Sequence, residues 1–71
     1  MQIVGEMLHK ARSGRLIIRL FKKVEPGSKL FDAKGKMLAK VVELIGPVTR
    51  PYASALPAPK ASDREGQKVY G

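Results

Sequence analysis

The 71-residue sequence has no cysteine and one histidine. The first absence excludes a disulfide framework and the second a histidine-built zinc site, so neither of the usual staples of a very small domain is present. Long hydrophobic runs are missing too. No stretch approaches the roughly 20 apolar residues needed to span a bilayer, and the amino terminus lacks the basic-then-apolar order of a signal peptide. The expectation is a cytoplasmic chain with no membrane partner. There is no tryptophan, and the aromatic residues are Phe21, Phe31, Tyr52 and Tyr70. Four scattered rings argue against an extended platform on which bases of a single strand would stack. Helical periodicity is also absent, because glycine or proline interrupts almost every window long enough for a stable helix.

Acidic residues are scarce: 6 Asp and Glu stand against 14 Lys and Arg, a formal net charge of +8. Such a field favours polyanions nearby, either by direct contact with nucleic acid or by membership of an assembly that contains it. The length allows one domain, over residues 1–71, that buries roughly 60% of its unfolded surface.

What remains is a series of short β-branched and aliphatic runs bounded by turn residues, which predicts an all-β chain. Ile3 to Lys10 is a strand interrupted by Gly5, the mark of a bulge or a close backbone crossing. After the turn Ala11 to Gly14, Arg15 to Phe21 alternates cleanly, with Leu16, Ile18 and Leu20 on one face and Arg15, Ile17 and Arg19 on the other. Glu25-Pro26-Gly27-Ser28 is a turn. Lys29 to Asp32 and Met37 to Ile45 flank the hairpin tip Ala33 to Lys36. The second of these strands is apolar on both faces, which predicts a strand covered on both sides as it bends between two sheets of a barrel. Tyr52 to Leu56 is extended, 57–63 is a proline-rich loop, and Gly66 to Tyr70 is a closing strand. Five or six such strands predict a small twisted barrel.

No constellation for catalysis is visible. His9, Glu6, Glu43, Asp32, Ser13, Ser28 and Ser54 are the available acids, bases and nucleophiles. None falls in a phosphate loop, a metal-ligand spacing or a nucleophile motif. The expectation is a non-enzyme without cofactor or metal, in which Glu6 and Glu43 pair with nearby lysines. Arg15, Arg19, Lys22 and Lys23 cluster along and just after one strand, as a phosphate-facing patch or as a solvated outer face.

The stretch IGPVTRPY, residues 45–52, stands out. Pro47 and Pro51 fix φ and disfavour helix at the residue before each, which stiffens the loop and lowers the entropy lost on binding. Ile45, Val48 and Tyr52 then form an apolar patch beside Arg50 suited to a protein interface. The alternative is a sharp strand-to-strand crossover with Tyr52 packed inward.

The run Gly35 to Tyr52, GKMLAKVVELIGPVTRPY, resembles the signature of the small glycine-arginine-rich-type subunit of H/ACA pseudouridylation ribonucleoproteins in its short archaeal form. Gly5 to His9 followed by Gly14 to Arg19 resembles that family's first hairpin. The Gly46-Pro47-Val48-x-x-Pro51-Tyr52 part is the most specific. Ala39, Glu43 and Ile45 depart from the family's usual Gly, Asp and Phe, and the Arg-Gly repeats of eukaryotic members are absent. The resemblance implies a six-stranded barrel of the translation-factor second-domain type. It also implies a non-catalytic monomeric subunit that docks on the pseudouridine synthase catalytic domain, meets the guide RNA particle only indirectly, and assists substrate RNA turnover in rRNA modification. The docking surface implied is Ile45, Gly46, Pro47, Val48, Pro51 and Tyr52. A second resemblance, of Gly35 to Val42 to the strand turn of ribosome-maturation barrels, implies a direct RNA-binding small barrel in ribosome biogenesis, with Arg15, Arg19, Lys22 and Lys23 facing RNA.

Overall fold

In the computed structural model, which describes residues 2–46, 49, 51–59 and 64–71, six strands close into one antiparallel barrel. They are β1 (Ile3–Lys10), β2 (Leu16–Leu20), β3 (Lys29–Phe31), β4 (Met37–Ile45), β5 (Tyr52–Pro57) and β6 (Lys68–Tyr70), in the order β1-β2-β5-β4-β3-β6 around the barrel. The described residues contain no helix, as the missing 3.6-residue periodicity requires. There is therefore no helix long and apolar enough to cross a membrane.

β2 forms as its alternation demands. Leu16, Ile18 and Leu20 point into the core and Arg19 points out. They meet Val4, Met7, Leu30, Leu38, Val41 and Val69 from the other strands. Ala53 and Ala55 are the inward residues of β5, both fully buried, and their small volume lets the opposite wall approach.

Two strands break alternation, and each does so at bulges. In β1 the register shifts against β6 between Ile3 and Gly5 and against β2 between Met7 and His9. Gly5 also marks the expected close crossing: a Cβ there would lie 2.5 Å from the Arg19 carbonyl oxygen. In β4 Leu38 is the extra residue opposite Leu30 and Phe31, and Val42 is the extra residue opposite Ala55 and Ser54. Leu38 and Ala39 can thus both be buried although adjacent.

The sequence reading is corrected at three places. β4 is not covered on both sides, since Glu43, Leu44 and Ile45 are all exposed. Its doubly apolar pattern comes from the bulges, which rotate successive segments, together with an apolar end left open to solvent. Pro57 belongs to β5, paired with Ala39, and not to the loop. Residues 60–63 of that expected loop lie outside the described residues. The closing strand starts at Lys68 because Arg64 to Gln67 form a turn, with Gln67 N–H donating to the Arg64 carbonyl at 3.1 Å.

Candidate functional site: the outer row and the mouth beside it

The barrel registers line up one residue from each of five neighbouring strands. Lys68 opposes Glu6, Glu6 opposes Arg19, Arg19 opposes Tyr52, and Tyr52 opposes Ile45. Because inward positions alternate with outward ones, the whole row lies on the outer wall. One half is ionic and the other apolar.

In the ionic half, Arg19 Nη2 donates to Glu6 Oε1 at 2.8 Å and Lys68 Nζ donates to Glu6 Oε2 at 3.2 Å. One carboxylate thereby holds two cations side by side. Its pKa is lowered, first by the hydrogen bond and charge of Lys68; desolvation opposes these, and the hydrogen bond and charge of Arg19 add smaller lowering effects. Both cations also reach the ring of Phe21, with the Arg19 Cζ 5.8 Å and the Lys68 Nζ 5.6 Å from its centroid. Phe21 follows β2 and is 50% exposed.

In the apolar half, Tyr52 is half-buried and Ile45 is 44% exposed. Ala53, not Tyr52, enters the core, so the alternative reading, with the tyrosine packed inward, does not hold. Just beyond this row the chain turns from β4 to β5 at one mouth of the barrel. There a cleft of about 340 Å³ is lined by Leu20, Phe21, Lys22, Lys23, Val24, Leu44, Gly46, Thr49 and Pro51. Gly46 takes φ of 90°, a left-handed turn that ends β4. Leu20 N–H donates to the Pro51 carbonyl at 3.1 Å and ties the turn to β2.

The structure therefore joins two groups that the sequence kept separate, because Lys22 and Lys23 line the same cleft as Gly46 and Pro51. Pro47, Val48 and Arg50 lie outside the described residues. The basic cluster itself is divided. Arg15 pairs with Glu43 at 3.9 Å, Arg19 pairs with Glu6, and Lys22 Nζ donates to Gln2 Oε1, while Lys23 is exposed in the loop. Glu6 and Glu43 sit on strands that are not neighbours, and their partners are arginines as well as a lysine. Lys68 is the member the sequence reading missed. It lies 62 residues from Glu6, and only barrel closure brings the two together.

The remaining candidates have local duties or none. Asp32 Oδ1 accepts from the backbone N–H groups of Lys34 and Lys36, both at 2.9 Å, and so fastens the β3–β4 hairpin tip. Ser54 is buried between Ile17 and Glu43 in register. His9 and Ser13 are exposed and Ser28 is half-buried in its turn. Among the described residues no group of three or more His, Cys, Asp or Glu side chains is placed to hold a metal ion.

Two archaeal proteins align with nearly all or most of the chain. A protein of Methanothermobacter thermautotrophicus is 31% identical across 99% of this chain and 82% of its own length. One of Methanocaldococcus jannaschii is 39% identical across 86% of this chain and 74% of its own length. The chain belongs to one family with these archaeal proteins. Both relatives are described only as uncharacterized, so the family brings no activity with it. No protein-family profile matches the chain. What this archaeal family does must be argued from the row and the mouth.

Proposed function

We propose that the protein is a non-catalytic subunit of an archaeal H/ACA RNA-guided pseudouridine synthase complex. In this reading it docks on the synthase catalytic domain through the β4–β5 end and assists turnover of substrate RNA in rRNA pseudouridylation. The observation that carries the proposal is the exposure of Ile45 beside Tyr52 on the outer wall, at the strand ends that enter and leave the Gly46 to Pro51 turn. An interface anchored by an aliphatic residue and a half-buried tyrosine has the composition of a protein contact. Leu44, 37% exposed on the cleft side, extends the apolar surface around the strand end.

Further features support this reading. The resemblance of residues 35–52 to the small archaeal H/ACA subunit runs along β4 and reaches this end of the barrel at Ile45 and Gly46, and the archaeal relatives agree with it in lineage. Among the described residues every strand of the closed barrel has a neighbour on each side, which directs a partner to side chains and the turn. The net charge of +8 suits residence in an RNA-rich particle.

The test is co-elution of the chain with an archaeal H/ACA pseudouridine synthase, purified without RNA, on size exclusion at moderate salt. A stable one-to-one complex is the expected result. Two separate peaks with a folded barrel would overturn the docking role and favour direct RNA binding in ribosome biogenesis.

A further inference from the structure

Phe21 has no place in the core, yet it is the most elaborately surrounded ring among the described residues. Half of its surface is exposed, and Arg19 and Lys68 stand 5.8 and 5.6 Å from its centroid. The two cations do not owe their positions to the ring alone, because Glu6 holds both through separate carboxylate oxygens. Exposed cation–π contacts contribute only about 0.5–1 kcal/mol, a small return for leaving a phenylalanine in water. Lys22 and Lys23 follow at once in the chain and line the adjoining cleft. Two cations thus stand at the ring on one carboxylate, and two more line the cleft to which Phe21 also contributes.

We propose that Phe21 is a stacking site for an unpaired base of single-stranded nucleic acid, with Lys22 and Lys23 as its phosphate contacts. An aromatic face accepts any base, and neighbouring cations track the backbone that joins one base to the next. Four rings are too few for a platform, but a single base needs only one. Glu6 is the positioning residue: it keeps Arg19 and Lys68 beside the ring and offsets part of their charge, which leaves the phosphates to the two loop lysines. The site shares its cleft with Leu44, Gly46 and Pro51 of the proposed docking end, but the ring sits on the Arg19 and Lys68 half of the row, whereas Ile45 and Tyr52 form the other half. It stands whether or not a synthase docks.

The experiment is fluorescence anisotropy of a labelled ten-nucleotide oligouridine RNA titrated with the intact chain at several salt concentrations. Binding to the wild type is expected to weaken as salt rises. Phe21→Leu should lose about tenfold in affinity with an unchanged melting temperature, and Phe21→Tyr should retain wild-type affinity. The pair Lys22→Gln and Lys23→Gln should make the slope of log affinity against log salt shallower by about 1.4, the loss of two single-strand phosphate contacts. Wild-type affinity in Phe21→Leu would overturn the proposal. So would equally tight binding of an RNA duplex of the same length, whose bases are not free to stack on a side chain. Unchanged co-elution of Phe21→Leu with the synthase is expected; its loss would assign the ring to protein docking instead.

Discussion

Glu6 and Arg19 meet twice, as partners in the β1–β2 register and as an ion pair in which Arg19 Nη2 donates to Glu6 Oε1 at 2.8 Å. Lys68 completes the arrangement from the other side, so one carboxylate on β1 links the outer faces of three strands.

This linkage gives stability a defined pH dependence. The pKa of Glu6 is depressed below its ordinary value of 4.5, so its contribution is fully present above that value and is lost as pH falls through the lower folded-state pKa. Glu6→Gln should lower the melting temperature near pH 7 and converge with the wild type once the pH has fallen below the folded-state pKa of Glu6. The exposed partners make the effect small, and it should shrink further at high salt. Parallel melting curves of the two proteins across this range are the check.

The Gly5 crossing and a glycine in an open turn should resist substitution for different reasons. In Gly5→Ala the new methyl meets the Arg19 carbonyl oxygen at 2.5 Å and Ile18 Cγ2 at 3.0 Å, and neither wall moves without disturbing β2. A loss of about 1–3 kcal/mol in denaturant unfolding is expected. Gly14→Ala is the control: φ there is +91° but nothing lies within 4 Å of the added carbon. Its cost should be only the backbone term of about 1–2 kcal/mol, with strand amide signals of the barrel left in place.

Ile45→Glu places a charge on the proposed docking surface at a residue already 44% exposed. The isolated barrel should melt within about 0.5 kcal/mol of the wild type. Co-elution with the synthase should be lost. Retention at wild-type yield would show that the partner, if it binds, uses another face.

The seam between β3 and β6 rests on one registered pair, Phe31 with Tyr70. Tyr70→Ala should cost about 1 kcal/mol, the loss of an aromatic cross-strand pair and its area. Hydrogen exchange should speed up first at the amides of residues 29–31 and 68–70. Uniform acceleration over the whole barrel would mean that the seam does not open independently.

Much of this architecture was legible in the sequence. β2 shows its faces in plain alternation, and Gly14, Gly27 and Gly35, all at positive φ, mark the turns where composition placed them. β4 was harder, because the extra residues Leu38 and Val42 each reset the inward face and a period-two reading has no means of counting a bulge. Of the site, Gly46 and Pro51 were visible as the turn residues that flank the β4–β5 connection, and the basic cluster as a run of cations. The Lys68–Glu6–Arg19–Tyr52–Ile45 row was not. It depends on strand order around the barrel, and nothing local to Lys68 announces a carboxylate 62 residues earlier in the chain.

The strand order also fixes when the protein can finish folding. β6 is last along the chain yet sits between β3 and β1, both made long before it. Without residues 68–70 in place, the other five strands make an open sheet whose two borders are β1 and β3. A chaperone or a premature neighbour would find those borders first. Three residues of β6 thus separate a sealed barrel from a sheet with two edges open to pairing with another chain.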